Sequence, residues 1–282
     1  MIFFIFVLFA LAEARHGKLF QKDQEVSSDA IVEFISLMVL FAVTQPLILY
    51  VVDVLMSSTL PMLRDSLAHL SILAQLGLLL IFDDMMQYWW QRASHNVRFL
   101  YFLHRAHHNA KYMSVRIVYR NNVFFYLLMP SIWFSGVLVY LGLGWVYAAY
   151  LVVKLTVIIG AHAEWRWDQY LYRAKVLAPL AWVVERTIST PSTHSAHHGL
   201  SMDDGITHYK GNYGNLLFFW DVLFGTAKIT RQYPQKYGIE GMKKADWAEQ
   251  LFWPFVKGRV TTKGKAMVET KVNAKAITKM SK

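Results

Sequence analysis

The segment DMMQYWWQRASHNVRFLYFLHRAHH, residues 84–108, decides how this chain is read. It opens at the end of an apolar stretch, turns polar and basic, and closes on His104, His107 and His108. The same pattern, His-x-x-His-His, returns as His194, His197 and His198. Residues three and four apart share one face of a helix, so each copy aims two or three imidazoles at one point, which is the spacing of metal ligands. A lone histidine is usually a hydrogen-bonded core or surface residue. With 11 histidines in 282 residues, chance yields one such pattern with a probability of about 0.02 and two with well under about 0.001.

Within the same segment Asp84, Tyr88, Gln91 and His95 follow i, i+4, i+7, i+11 spacing and form one helical stripe leading into the histidine block. His95 joins the candidate ligands. Asp84 is placed to orient a ligand by accepting the second ring N–H of a histidine, the usual outer contact that fixes tautomer and basicity. His162 and His208 read equally well as ligands or as hydrogen-bonded interfacial histidines. His16 and His69 lie outside the clusters and read as structural.

The chain around this segment is 55% hydrophobic and only 17% charged, a balance that suits a lipid-facing exterior. Apolar blocks long enough to cross a hydrocarbon core of about 30 Å recur along it. Ile31–Met56 is one, with Pro46 expected to kink it. A short turn over Ser57–Asp65 leads to a second from Leu67 to Trp90, the two forming an antiparallel pair. Asp83 and Asp84 fall near the end of that second span, at membrane depth, where a carboxylate is costly and needs a partner. The block that follows carries Arg92, Arg98, Arg105, Lys111, Arg116 and Arg120, so the positive-inside rule makes it cytoplasmic. Val123–Leu143 and Trp145–Ala161 form a second apolar pair turning at Gly142 and Gly144. The chain thus returns to the side it left, and all the clustered histidines fall on one face. Tyr170–Ile188 mixes Leu, Val and Trp with charged residues and reads as an amphipathic helix along the membrane surface. Met1–Ala12 is apolar but too short to span and lacks a positive n-region, so it reads as an interfacial or partly inserted segment.

There is no cysteine, which excludes disulfides and thiolate metal sites and leaves nitrogen and oxygen as ligands. The formal charge of +10 is concentrated in the tail: Val256–Lys282 holds eight Lys/Arg against the single Glu269. Beside a hydrophobic domain such a tail reads as a solvated appendage or as a segment drawn to anionic lipid, and not as a nucleic-acid-binding arm. The expected organisation is an N-terminal segment over 1–30, a membrane-embedded domain over 31–255, and the basic tail over 256–282.

These motifs resemble the fatty acid hydroxylase and sterol desaturase superfamily of membrane non-haem di-iron proteins. The likeness runs from about Asp84 to Phe224. It rests on Asp84-x-x-x-Tyr88-Trp89, the two His-x-x-His-His motifs, Ser189-Thr190-Pro191, Asn212-Tyr213-Gly214 and the run Trp220-Asp221-Val222-Leu223-Phe224-Gly225-Thr226. The resemblance implies an all-α integral membrane protein of about four transmembrane helices in two hairpins. A cytosolic helical cap would carry a dimetal site held by His95, His104, His107, His108, His162, His194, His197 and His198, with Gln91, Asp84 and His208 as further ligands or outer contacts. It implies two iron ions, for which zinc substitutes in recombinant protein, dioxygen as co-substrate, and hydroxylation or desaturation of a lipid or sterol-like substrate. Electrons would come from a separate carrier and reductase, because the chain has no flavin, nicotinamide or cysteine-cluster motif of its own. Trp89, Trp90, Phe99, Tyr101, Phe102 and Phe125 read as an interfacial belt or as the entrance for a substrate arriving from the bilayer. One departure stands out: Gln91 occupies a position where the family pattern has histidine. The alternative is therefore an inactive or repurposed metal-binding relative. A metal-dependent hydrolase, drawing a base from Glu164, Asp203 or Asp204, is the remaining rival.

Overall fold

The computed structural model describes residues 2–21, 23–25, 28–242 and 245–257. Most of the basic tail, from residue 258 onward, lies outside the described residues, as does the reading made of it. Among the described residues the protein is all-helical, with no β-strand.

Helix α1 (Ile2–Arg15) is followed by α2 (Asp29–Thr59) and α3 (residues 72–96). Proline 46 does not break α2. A π-helical turn, Val39–Thr44, precedes it and widens the helix where the missing N–H and the ring would otherwise disrupt the ladder. The second apolar block starts as a helix at Ile72, later than its hydrophobicity suggests, because Ser71 caps it by accepting the N–H of Ala74. Helix α4 (Arg98–His108) follows α3 after one extended residue, Val97.

The run Pro130–His162 is helical but turns at Gly142, whose φ of 105° is open to glycine and strained for other residues. It divides into α5 (Pro130–Leu138, continuing to Leu143) and α6 (Gly144–His162). The halves pack against α3: Ser135 on α5 and Tyr150 and Lys154 on α6 all meet Asp83 of α3. A Cβ at Gly142 would lie 2.8 Å from Cβ of Ala68. That contact and the bonds Asp65 N–H to Tyr140 O and Leu67 N–H to Leu141 O lock the two turns together.

By length and composition the runs Asp29–Thr59 and Pro130–His162 are each sufficient to cross a membrane, the second interrupted by its turn at Gly142. Only 28% of the most apolar window of each is buried, whereas the core helix of a water-soluble protein is mostly covered. Helix α3 is less apolar because it carries Gln75, Asp83 and Asp84, all buried against the protein, while Ile72, Leu73, Ile81 and Phe82 face outward.

The expected amphipathic helix over Tyr170–Ile188 is broken. It comprises a short turn, Gln169–Arg173, a 3-10 turn, Lys175–Leu177, and α7 (Ala178–Thr187), which Pro179 opens in its first turn. Val176, Leu180, Trp182 and Val183 nevertheless point outward as an exposed apolar face. Helix α8 (Pro191–His198) is short, polar and wholly buried; a capping box between Thr190 and Thr193 starts it. Helix α9 (Trp247–Phe252) closes over α4 through Arg105, which donates to Glu249 at 2.5 Å. Buried Arg120 ties Asp29, Ala106 O and Gln250 together at 2.7–2.9 Å, joining α2, α4 and α9.

Candidate metal centre

Four helices end at one place. His95 lies in the last turn of α3, His104, His107 and His108 in the last two turns of α4, His162 at the end of α6, and His194, His197 and His198 in the last two turns of α8. Helix C-termini carry negative partial charge, so this convergence favours a cation before any side chain is counted.

The eight imidazoles form two groups. His95, His104, His108 and His197 present ring nitrogens within 4.8 Å of one another, and His107, His162, His194 and His198 do the same. Each group draws on both His-x-x-His-His motifs, and only His95, at the edge of the first, is not fully buried.

The outer ring nitrogens fix what the inner ones present. Nδ1–H of His107 donates to Ile117 O at 3.1 Å, that of His162 to Ile158 O at 2.8 Å, and that of His197 to Gly211 O at 2.8 Å. Nδ1–H of His104 donates to Asn121 Oδ1 at 3.0 Å, since the amide nitrogen of Asn121 is spent on Tyr126. A neutral imidazole has one donor and one acceptor, so Nε2 of each of these rings is a bare lone pair. His107 Nε2 and His162 Nε2 face each other at 3.3 Å, two lone pairs with no proton between them. His162 Nε2 is also 2.9 Å from His194 Nε2, and His104 Nε2 is 3.1 Å from His108 Nε2. Nε2 of His95 and Nδ1 of His194 are buried with no protein partner. Such a donor set fits a pair of metal ions, because a cation at each centre turns facing lone pairs from repulsive to bonding, and a backbone carbonyl on the far nitrogen is the usual support of a ligating histidine.

Charge points the same way. Burial, reinforced by neighbouring imidazoles, holds His107, His108, His194 and His198 well below the ordinary histidine range. Burial also lowers His104 to about 4 and His197 to about 3, against the opposing pull of their bonds to Asn121 and Gly211. At neutral pH these rings are uncharged, the form that binds metal.

Gln91 lies against the first group. Its amide nitrogen is 2.9 Å from His104 Nε2 and 3.1 Å from His197 Nε2, and because both are lone pairs the NH2 donates to both. Two further residues stand apart from the groups. Among the described residues the Asp84 carboxylate accepts Leu216 N–H, Leu217 N–H and Trp220 Nε1–H at 3.3, 3.2 and 2.8 Å, not a histidine, and so pins residues 216–220 to α3. His208 belongs to neither group. Its ring bonds the Thr226 carbonyl and packs against Gly211, where a Cβ would come within 2.2 Å of it. Asp221 accepts Tyr213 N–H, Gly214 N–H and Thr226 Oγ1–H, which ties the two segments Asn212–Gly214 and Trp220–Thr226 together.

Residues that spacing did not flag complete the frame. Buried Glu13 of α1 accepts Ser114 Oγ–H, Val115 N–H and Glu164 N–H at 2.6, 3.1 and 2.8 Å, bracing the loop that supplies Ile117 O and the residues just after His162. Asp168 accepts Ser192 N–H at 2.8 Å and steadies the start of α8. A cavity of about 90 Å³ reaches His104, His107 and His162 from among α2, α3, α5 and α6. Another, of about 470 Å³, reaches His95 and His108 from the loops carrying Leu200, Tyr209 and Gly238.

Comparison with known proteins agrees with this geometry. The chain is 30% identical over 144 residues to an alkylglycerol monooxygenase of Danio rerio, covering 51% of this chain and 28% of that protein. It is 27% identical over 149 residues to the Homo sapiens alkylglycerol monooxygenase, covering 53% and 29%, and 26% identical over 162 residues to that of Caenorhabditis elegans, covering 57% and 28%. It thus spans less than a third of the length of these curated relatives. No solved structure matches. The family model for fatty acid hydroxylase matches residues 76–226, more than half of the chain and all eight clustered histidines, and the chain belongs to the fatty acid hydroxylase family.

Proposed function

We propose that this protein is a membrane-bound two-metal oxygenase that hydroxylates a carbon–hydrogen bond of a lipid. In that reaction RH, O2, two electrons and two protons give ROH and water. The observation that carries the reading is the pair of four-imidazole groups whose lone pairs face one another. His95, His104, His108 and His197 are assigned to one metal and His107, His162, His194 and His198 to the other. Iron, when bound, supplies dioxygen chemistry strong enough for an unactivated C–H bond; zinc suits the same all-nitrogen donors without supplying it. The chain's own part is to keep the imidazoles neutral, to hold each ring by its far nitrogen, and to bury the centre from bulk water. Desaturation shares the first hydrogen abstraction and is the variant outcome. Electrons are assigned to a separate carrier protein and its reductase.

Four spans, α2, α3, α5 and α6, cross as two hairpins in this reading, with the histidine centre at the cytoplasmic end and residues 31–255 as the catalytic domain. The joined turns at Asp65 and Tyr140, and the opposite placement of the basic block, support it. The relatives' names make an alkylglycerol the first substrate to test.

Two observations weigh against the rivals. Each group has four imidazoles without Gln91, which favours a working centre over one disabled by the glutamine. Neither group contains a carboxylate for hydrolysis. Asp204 is spent on Ile206 and Thr207, and Glu164 on Arg166. The test is oxygen-dependent turnover of 1-O-hexadecylglycerol by iron-loaded protein in membranes with an electron donor, beside His107→Ala. Product that requires oxygen and disappears in the variant supports the proposal. Equal product from both proteins, or product without oxygen, overturns it.

A further inference from the structure

The cavity that reaches His104, His107 and His162 has an unusual wall for a lipid site. Among the described residues, its only charged side chains are Asp83 and Lys154, which pair with each other, and Asp83 also accepts Ser135 Oγ–H at 3.0 Å and Tyr150 O–H at 2.7 Å. The charges are therefore spent. Three other polar atoms on the wall are not: Tyr119 OH, Ser131 Oγ and Gln87 Oε1 are buried without a hydrogen-bond partner. Tyr119 is 7% exposed and Ser131 only 1%, so bulk water does not serve them. They come from three separated parts of the chain, and polar groups buried in this way are ordinarily paired.

Taking the oxygenase reading as its basis, we infer that Tyr119, Ser131 and Gln87 form an anchor that hydrogen-bonds the uncharged, hydroxyl-bearing end of the lipid substrate and thereby sets which carbon faces the metal centre. Two hydroxyls that both donate and accept, beside one carbonyl that only accepts, match a ligand with hydroxyl groups. A carboxylate or phosphate would find no free cation here. The cavity's volume of about 90 Å³, the share of roughly three water molecules, admits a compact polar end and leaves the hydrocarbon chain to run outward between the helices. These three are positioning residues.

The test uses the 282-residue chain in membranes with three probes of equal chain length: 1-O-hexadecylglycerol, the same ether with both hydroxyls methylated, and hexadecanoate. Tyr119→Phe and Ser131→Ala each remove one unpartnered oxygen, so both variants are expected to melt no lower than wild type. For 1-O-hexadecylglycerol, each variant should raise KM about tenfold while kcat changes less than threefold, and the hydroxylated position should spread along the chain. The methylated ether should bind wild type about tenfold more weakly and be indifferent to both variants. Equal losses for all three probes, unchanged KM, or tighter binding of hexadecanoate would overturn the anchor. If wild type forms no oxygen-dependent product from any probe, the oxygenase reading fails by itself. The anchor is then decided by equilibrium binding of radiolabelled 1-O-hexadecylglycerol to metal-free protein in nanodiscs: a tenfold loss in the variants upholds it, and equal affinity rejects it.

Discussion

Replacing Gln91 with leucine should act in opposite directions on the metal-free and the metal-loaded protein. In the structure the amide NH2 satisfies two buried lone pairs, Nε2 of His104 and Nε2 of His197, at 2.9 and 3.1 Å. Leucine has a similar volume and no donor. Each acceptor left unpaired costs about 1 to 3 kcal/mol, so Gln91→Leu should destabilise the metal-free protein by about 2 to 6 kcal/mol, a large part of the roughly 5 to 15 kcal/mol that a folded domain commands. A bound cation takes up both lone pairs, so the loaded protein should lose little. By linkage the variant then binds metal more tightly, by about 30-fold if the metal-free loss is about 2 kcal/mol, since about 1.4 kcal/mol is a factor of ten. The assay is unfolding in detergent with and without saturating zinc, followed by circular dichroism, together with a competitive chelator titration. An unchanged metal-free transition would refute the assigned hydrogen bonds. A fall in metal affinity would show instead that the amide turns its oxygen to the metal as a ligand.

Glu13→Ala should cost about 3 to 9 kcal/mol, because three buried donors lose their acceptor; thermal unfolding measures this, and chelator titration should show metal lost first from the group containing His107. Elemental analysis should find two metal ions per chain in wild type and in His208→Ala, whose ring serves a carbonyl, and about one in His107→Ala. Acid should destabilise the metal-free protein. His104 and His197 stay neutral down to about 4 and about 3 when folded but protonate near 6.5 when unfolded, so stability is complete above pH 6.5 and declines as pH falls toward 4, at up to about 1.4 kcal/mol per pH unit for each such histidine. Glu13, raised to about 7 by burial, works the other way: its contribution is complete below 4.5 and is lost as pH rises through 7. One carboxyl opposes several histidines, so the midpoint of urea unfolding should still rise from pH 4.5 to 6.5, and a flat profile would contradict the burial of the rings.

The histidine groups were legible because helical spacing is a property of side chains alone: once His104, His107 and His108 share a face, the second motif supplies the opposite wall. The stripe Asp84, Tyr88, Gln91, His95 was equally readable as a buried face of α3. Its partner was not. Asp84 meets residues 216–220, and nothing in local spacing says which distant loop folds back onto a carboxylate. Carbonyls of Ile117, Ile158 and Gly211 were invisible for a different reason, since a main-chain oxygen carries no residue identity. Glu13 left a usable trace, a single acid in an otherwise apolar run. The break of the expected helix over Tyr170–Ile188 could have been anticipated from Pro179, which suits the first turn of a helix and not its middle.

Because three of the four oriented rings are steered by peptide oxygens, no substitution at Ile117, Ile158 or Gly211 deletes the steering atom itself. Single-residue changes can reach that atom only where it belongs to a side chain, at Asn121. The aim of the other three imidazoles is inherited from the path of the chain, and a lineage could rework much of the surrounding packing before the centre lost its shape.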